Sequence, residues 1–222
     1  MWKHFFYPLK SYNIQNSDNI IYSNKYYPVY PISNSETKYQ NACWKKNVPP
    51  MEKRINYSNK IKSQIKLKDI YKSKFDKYYE DNLKNTTIIG INFRGTDSRG
   101  DNRRIVPKYS IYKNYIDNII KKCDNNYKIF CTSDEKEFIE YIYSIYPDKT
   151  FYNKNSIIGD KKSRRAGVYD CPIFVKNNPF AVLEGALFDY YILTKCHYLI
   201  FHQGSIPLSV LLTNPEIIPI PV

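Results

Sequence analysis

At 222 residues and 26.4 kDa, the chain has the length of one sizeable domain, or of one domain and part of a second. Its 42% apolar and 16% aromatic content supports a packed core and excludes global disorder. No apolar run approaches the ~18–20 residues of a membrane span, and Met1 to Pro8 lack the features of a secretory signal, so a soluble, cytoplasmic protein is expected.

The net charge of +13 invites a nucleic-acid reading, but its distribution argues against one. Residues 1–85 hold net +9 and residues 86–222 only +4, and no nucleic-acid-binding motif accompanies the excess. Arginine is more selective. Lys makes up 27 of the 34 basic residues, yet six of the seven Arg fall in two places: Arg94, Arg99, Arg103 and Arg104, then Arg164 and Arg165. The planar guanidinium meets phosphate through two parallel donors, which an ammonium cannot do. Clustering against a Lys-favouring background points to an oxyanion ligand, with chance surface charge as the plainer reading. Five Cys without a CxxC pair fit reduced core thiols.

Residues 1–56 lack periodicity and are rich in Tyr, Asn, Ser and Pro, which predicts largely irregular structure. From Tyr57 to Leu83 the pattern is helical, with Ile61, Ile65, Ile70, Phe75, Tyr78 and Tyr79 on one face. Thr86 to Phe93 reads as a buried strand ending in the Arg94 loop, and Pro107 to Lys122 as a helix. Tyr127 to Thr132 is a second strand, after which Ser133 is expected to cap a helix carrying Asp134 and Glu135 in its first turn. A short strand at Thr150 to Tyr152 precedes a long polar loop, 153–178. Then come a helix from Pro179 with Leu183, Leu187, Tyr190 and Leu193 facing in, a strand at Tyr198 to Phe201, a helix at Ile206 to Leu212 and a strand at Ile217 to Val222.

This alternation predicts an α/β fold, a Rossmann-like doubly wound parallel sheet over residues 86–222, with a reduced, partly irregular region at 1–85. In such sheets ligands sit beyond the carboxyl ends of the strands. The Arg94 loop, Ser133-Asp134-Glu135, the loop holding Arg164 and Arg165, and His202-Gln203-Gly204-Ser205 all fall at that edge. They converge on a phosphate-bearing ligand.

The sharpest segment is Ile89-Gly90-Ile91-Asn92-Phe93-Arg94-Gly95-Thr96-Asp97: a strand, an Arg at its tip, a Gly-Thr turn and an Asp able to orient the guanidinium. It matches neither a Walker loop nor GxGxxG. It resembles the first motif of the GDP-fucose-dependent α-1,6- and protein-O-fucosyltransferase superfamily, a strand followed by His-x-Arg-x-x-Asp. Three further segments resemble later motifs in order: Phe130 to Glu135, Ser163-Arg164-Arg165, and Glu184 to Ile200 with Ser205 beyond it.

The resemblance implies a donor-binding domain of the GT-B type. It implies an inverting, metal-independent transfer of L-fucose from GDP-fucose to a glycan or protein hydroxyl, with no cofactor. Arg94 would bind the β-phosphate and stabilise the leaving diphosphate. Asp97 would organise the loop or act as base, with Glu184 as a second candidate, and Gly95 and Thr96 would form the turn. Asp189 would accept the guanine N1–H and N2–H₂, against its plainer reading as a helix-face carboxylate. Ser205 would hold phosphate at a helix start, or simply cap that helix. Ser133 and Asp134 would line the ribose or base, and Arg164 and Arg165 would complete the donor site.

The chain departs from the pattern at Asn92, where the family has His, at Ile206 for a second Ser, and at Phe174 for a His. A structural hydrogen bond is expected to survive at Asn92. The family carries two Rossmann-like domains, and residues 1–85 are too few for a second copy. The alternative reading is therefore a partner-dependent or non-catalytic module that binds GDP or a nucleotide sugar.

Overall fold

The structure, a computed structural model, describes residues 6, 48–95, 106–123, 125–154, 179–202 and 204–222. Two helices, α1 (Met51–Gln64) and α2 (Asp69–Asn82), lead into a five-stranded sheet. The order then runs β1 (Thr87–Phe93), α3 (Tyr109–Ile120), β2 (Tyr127–Ser133), α4 (Lys136–Ile145), β3 (Thr150–Phe151), α5 (Pro179–Leu193), β4 (Tyr198–Phe201), α6 (Ser205–Thr213) and β5 (Ile218–Pro221). All strand pairs are parallel, in the spatial order β3-β2-β1-β4-β5. The expected α/β class and parallel sheet are present.

The winding follows from the side-chain alternation of the strands. Ile89, Ile91 and Phe93 of β1 share one core with Tyr112, Ile116 and Ile119 of α3 and Phe138, Ile139 and Ile142 of α4. Ile88 of β1, Phe130 of β2 and Leu199 of β4 share the other with Phe75 of α2, Phe188 and Ile192 of α5 and Val210 of α6. Thus α3 and α4 cover one face, and α2, α5 and α6 the other. The helix after β1 and the helix after β4 leave on opposite faces. Between these neighbouring strands lies the topological switch point, where an open α/β sheet forms a crevice.

The sheet ends differently on its two sides. Along β5, Ile218 and Val222 donate their N–H groups to His197 and Phe201 of the β4 side at 2.9 and 2.8 Å. Their alternates Pro219 and Pro221 therefore stand where an N–H would point outward. Proline loses no ladder bond there and blunts the edge against a further strand.

Residues Tyr57 to Leu83 form two helices rather than one. The helical stripe breaks at Ile65, which is extended (φ −103°, ψ 110°), and Leu67 pairs antiparallel with Phe6. Ile70 is consequently 74% exposed, and of the predicted stripe only Phe75 is fully buried. The helix α1 is held by polar anchors: Arg54 Nη1 donates to the Ile217 carbonyl (3.0 Å) and Ser58 Oγ to that of Thr213 (2.7 Å). Arg54, the one Arg outside the two clusters, is buried, and its fork reaches the carbonyl of Ile217, the residue just before β5. On α5 the inward residues are Phe188, Ile192 and Leu193, with Leu183, Leu187 and Tyr190 half-buried. This helix packs against the sheet, α2 and α6 at once, so it is apolar nearly all round.

Close packing leaves no room for a side chain at Gly90. An added Cβ there would lie 2.7 Å from Cys196 Sγ and 3.1 Å from Leu193 Cδ2. Gly90→Ala is expected to cost about 1–3 kcal/mol in urea denaturation, with part restored by adding Cys196→Ala. An unchanged midpoint would contradict the packing.

A second expectation concerns acid. Burial alone would raise the Asp76 carboxyl, but hydrogen bonds from Lys72 and Tyr191, together with nearby Lys charge, outweigh it and hold the group below its ordinary value. A depressed carboxylate contributes stability that is present above the unfolded value of about 3.9 and is lost as pH falls through the lower folded one. Acid titration should therefore destabilise the wild type more steeply below about pH 4 than Tyr191→Phe. Identical acid limbs would show that the link contributes nothing.

Candidate functional site

The carboxyl ends of β1, β2 and β4 bring several of the sequence-derived residues together. Parallel pairing sets Asn92 beside Thr132 and Phe93 beside Ser133 on one side, and Asn92 beside Phe201 on the other. Arg94, half-buried, is the next residue out from β1. On the β4 side, Phe201 is followed by His202, and Gly204 leads into α6. Asn92, which stands where the resembled motif has His, is buried and donates from Nδ2 to Thr132 Oγ1 at 2.9 Å. That hydroxyl donates in turn to the Ile91 carbonyl at 3.0 Å, stitching the β1 and β2 tips together.

Beyond the strand ends, the turn after Arg94 is pinned from β2. The Gly95 N–H donates to Asp134 Oδ1 at 2.7 Å. Glu135, fully buried, accepts a hydrogen bond from the Tyr109 hydroxyl through Oε1. Its other oxygen lies so close under Gly95 that an added Cβ would overlap it, and would also come within 2.6 Å of Phe93 Cε1. Glycine at 95 is thus a requirement of close approach.

Ser133 does not cap α4. It ends β2, and its Oγ accepts from the Glu135 N–H at 2.9 Å and donates to the Glu135 carbonyl at 3.1 Å. This local turn delays the helix to Lys136, so Asp134 and Glu135 precede its first turn instead of occupying it. Both carboxylates are thereby turned toward the Arg94–Gly95 segment. Glu135 falls in the segment expected at the ligand edge, but its position in the sequence does not reveal that it lies beneath Gly95.

An aromatic floor supports these groups. Phe93 stacks on Phe138 with centroids 4.1 Å apart, and Tyr109 and Tyr112 pack edge-on against both rings. His202, 4% exposed at the end of β4, shares a 2.7 Å hydrogen bond with the Tyr112 hydroxyl through Nδ1. Burial raises the Tyr112 phenol well above its ordinary value, so it stays protonated. Burial also pushes the Cys131 and Cys196 thiols far up, so both are inert core groups.

Of the remaining residues, Ser205 is exposed and is the first residue of α6, whose N-cap is Gly204. Gly204 adopts φ 131°, a conformation that favours glycine, so Ser205 does not serve as the cap. Asp189 stands on α5, and its charge reaches both Cys131, two residues short of Ser133, and Tyr78 of α2. Burial and that carboxylate push the Tyr78 phenol up to about 12. Asp189 therefore lies on the opposite face of the sheet from α3 and α4, at the level of the β2 end. Glu184 pairs with Lys74 and lines an open groove of about 1090 Å³ along β3, with Tyr143, Phe151 and Tyr152. Arg94, Gly95, Ser133, Asp134 and Ser205 are not among the residues lining that groove. Thr96, Asp97, Arg164 and Arg165 lie outside the described residues. Among the described residues, no group of three His, Cys, Asp or Glu side chains is arranged to hold a metal ion. Nor is any helix among them long and apolar enough to cross a membrane.

No protein-family model and no curated protein sequence matches the chain. Solved structures that it resembles include the fucosyltransferase NodZ from Bradyrhizobium, at 18% identity and a TM-score of 0.42, over 68% of this chain and 43% of that one. Arabidopsis thaliana FUT1 in complex with GDP is 14% identical, with a TM-score of 0.40 over 70% and 33%. POFUT1 in complex with GDP-fucose is 10% identical, with a TM-score of 0.39 over 71% and 46%. The chain spans less than half the length of these structures.

The close approach at the β1 tip has a direct test. Gly95→Ala should lower stability by about 1–3 kcal/mol, because the Cβ must displace a buried carboxylate or the Phe93 ring. A Gly95→Ala protein with a wild-type urea midpoint would mean that Glu135 does not lie beneath the turn.

Proposed function

We propose that the chain binds a GDP-sugar at the β1/β4 crevice and transfers L-fucose from GDP-fucose to a glycan or protein hydroxyl by an inverting, metal-independent reaction. The observation that carries this reading is the position of Arg94. It is the next residue out from β1 at the switch point between β1 and β4, and the N–H of the following Gly95 is held by Asp134. The resemblance of four ordered segments to the GDP-fucose-dependent superfamily supports the choice of donor.

The chemistry follows from charge. In the transfer, the acceptor oxygen forms a bond to fucose C1 as the bond from C1 to the β-phosphate oxygen breaks. Negative charge builds on the departing diphosphate. A guanidinium already aimed at that oxygen stabilises the transition state without reorganisation. The amino end of α6 adds N–H donors and a favourable dipole, with Ser205 at its first position. Arg164 and Arg165 supply further positive charge in this reading. The acceptor hydroxyl gives its proton to a carboxylate, assigned here to Asp97. Glu184 suits that role less well, because Lys74 already holds its carboxylate at the β3 groove. Asp189 selects guanine through the N1–H and N2–H₂ donors that adenine lacks as a pair.

A second reading is a partner-dependent or non-catalytic module that binds GDP or a nucleotide sugar. Residues 1–85 then form a reduced acceptor-side region and residues 86–222 the donor unit. Helices α1 and α2 pack directly on that unit.

Thermal-shift titration against GDP, ADP, UDP and GDP-fucose separates the possibilities, since a ligand that binds the native state raises its midpoint by mass action. A response selective for GDP and GDP-fucose is expected, and equal responses to all the diphosphates would undo the guanine assignment. With an acceptor panel, Arg94→Lys should lower fucosyl transfer by about 10²–10³. Near-normal transfer by that variant would remove Arg94 from the mechanism. GDP binding with no transfer or hydrolysis on any acceptor would select the second reading.

A further inference from the structure

Glu135 is a fully buried carboxyl group at the mouth proposed to receive a diphosphate. One of its oxygens accepts from the Tyr109 hydroxyl, and the other lies against the Cα of Gly95. Its backbone N–H is tied to Ser133 Oγ, which fixes where the side chain departs from the end of β2. Tyr109 is in turn held by ring contacts to Phe93 at 5.4 Å and Phe138 at 5.2 Å.

We propose that Glu135 is the positioning residue of the phosphate-binding turn. With its orientation set by Tyr109, it is the seat on which Gly95 rests, and it thereby fixes the height and direction at which the chain presents Arg94. Asp134 holds the same turn from the side through the Gly95 N–H. The role of Glu135 is one of shape and hydrogen bonding; it touches neither donor nor acceptor. The division of labour explains why two adjacent acids stand at the end of β2 while α4 begins only after them. This inference rests on the diphosphate reading for its functional consequence, but the seat itself can be measured without any ligand.

The test uses the full chain and two readouts: hydrogen exchange at the Gly95 amide, and the dissociation constant for GDP. Tyr109→Phe removes one hydroxyl while keeping the ring packing. It should speed Gly95 exchange about tenfold and weaken GDP about tenfold, with the thermal midpoint little changed. Glu135→Ala should do the same or more. Glu135→Gln keeps an oxygen for Tyr109 and the bulk beneath Gly95, so it should restore most of both. Combining Tyr109→Phe with Glu135→Ala should add nothing further, because both act through one seat. Wild-type exchange at Gly95 in Tyr109→Phe would overturn the proposal, and so would a Glu135→Gln protein as impaired as Glu135→Ala. If the Ala variant does not fold, the Tyr109→Phe and Glu135→Gln pair decides alone. A wild-type protein that fails to bind GDP, with Gly95 exchange still responding as described, would overturn the diphosphate reading and leave the seat standing.

Discussion

A cationic turn at the end of a buried strand can stay in one place only if the neighbouring strand holds it. Here that hold is the bond from the Gly95 N–H to Asp134, backed by the Glu135 carboxylate beneath the same residue. An isolated loop carrying an Arg would sample many directions, and ordering it on binding would consume part of the affinity. Tied across the β1 and β2 tips, Gly95 is held in place without a ligand. The hydrogen-bond chain from Asn92 through Thr132 to the Ile91 carbonyl extends the same tie one layer down.

The tie draws on the whole fold. Register places Phe93 beside Ser133, and the stacking of Phe93 on Phe138 locks the first turn of α4 against the β1 tip. On the other side, β4 ends in the buried His202, held by Tyr112 of α3, before Gly204 turns the chain into α6. Helices from both faces therefore converge on one crevice. The amino-terminal helices serve the same unit from below: α2 contributes Phe75 to the core beneath α5, and α1 is anchored by Arg54 and Ser58 to the end of α6 and the approach to β5.

The sheet was readable in the chain because each strand is a short apolar run bounded by polar turns, and β4 falls at the predicted residues. The edge prolines of β5 were readable as well, since alternation with Ile218 and Ile220 leaves the ladder donors in place. What escaped depends on contacts distant in sequence. Ile65 and Ile70 fit a helical stripe, yet the chain breaks between them to pair Leu67 with Phe6, which no local period encodes. Ser133 looked like a cap because Ser before acids is the usual signature; its hydroxyl instead closes a turn on Glu135. Glu135 falls in the segment expected at the ligand edge, but its place under Gly95 and beside Tyr109, forty and twenty-six residues before it, has no local signal. Arg94 stands out as an Arg in a Lys-favouring chain, whereas Asp134 and Glu135, which hold the next residue, are common types at an ordinary helix start.

A crystal structure of the chain with GDP measures the central claim most directly, for it locates the diphosphate relative to the turn. The account predicts diphosphate oxygens within about 3 Å of the Arg94 guanidinium, in the crevice between β1 and β4, with Gly95 still bonded to Asp134. A diphosphate bound elsewhere, with Arg94 turned away from it, would contradict the account.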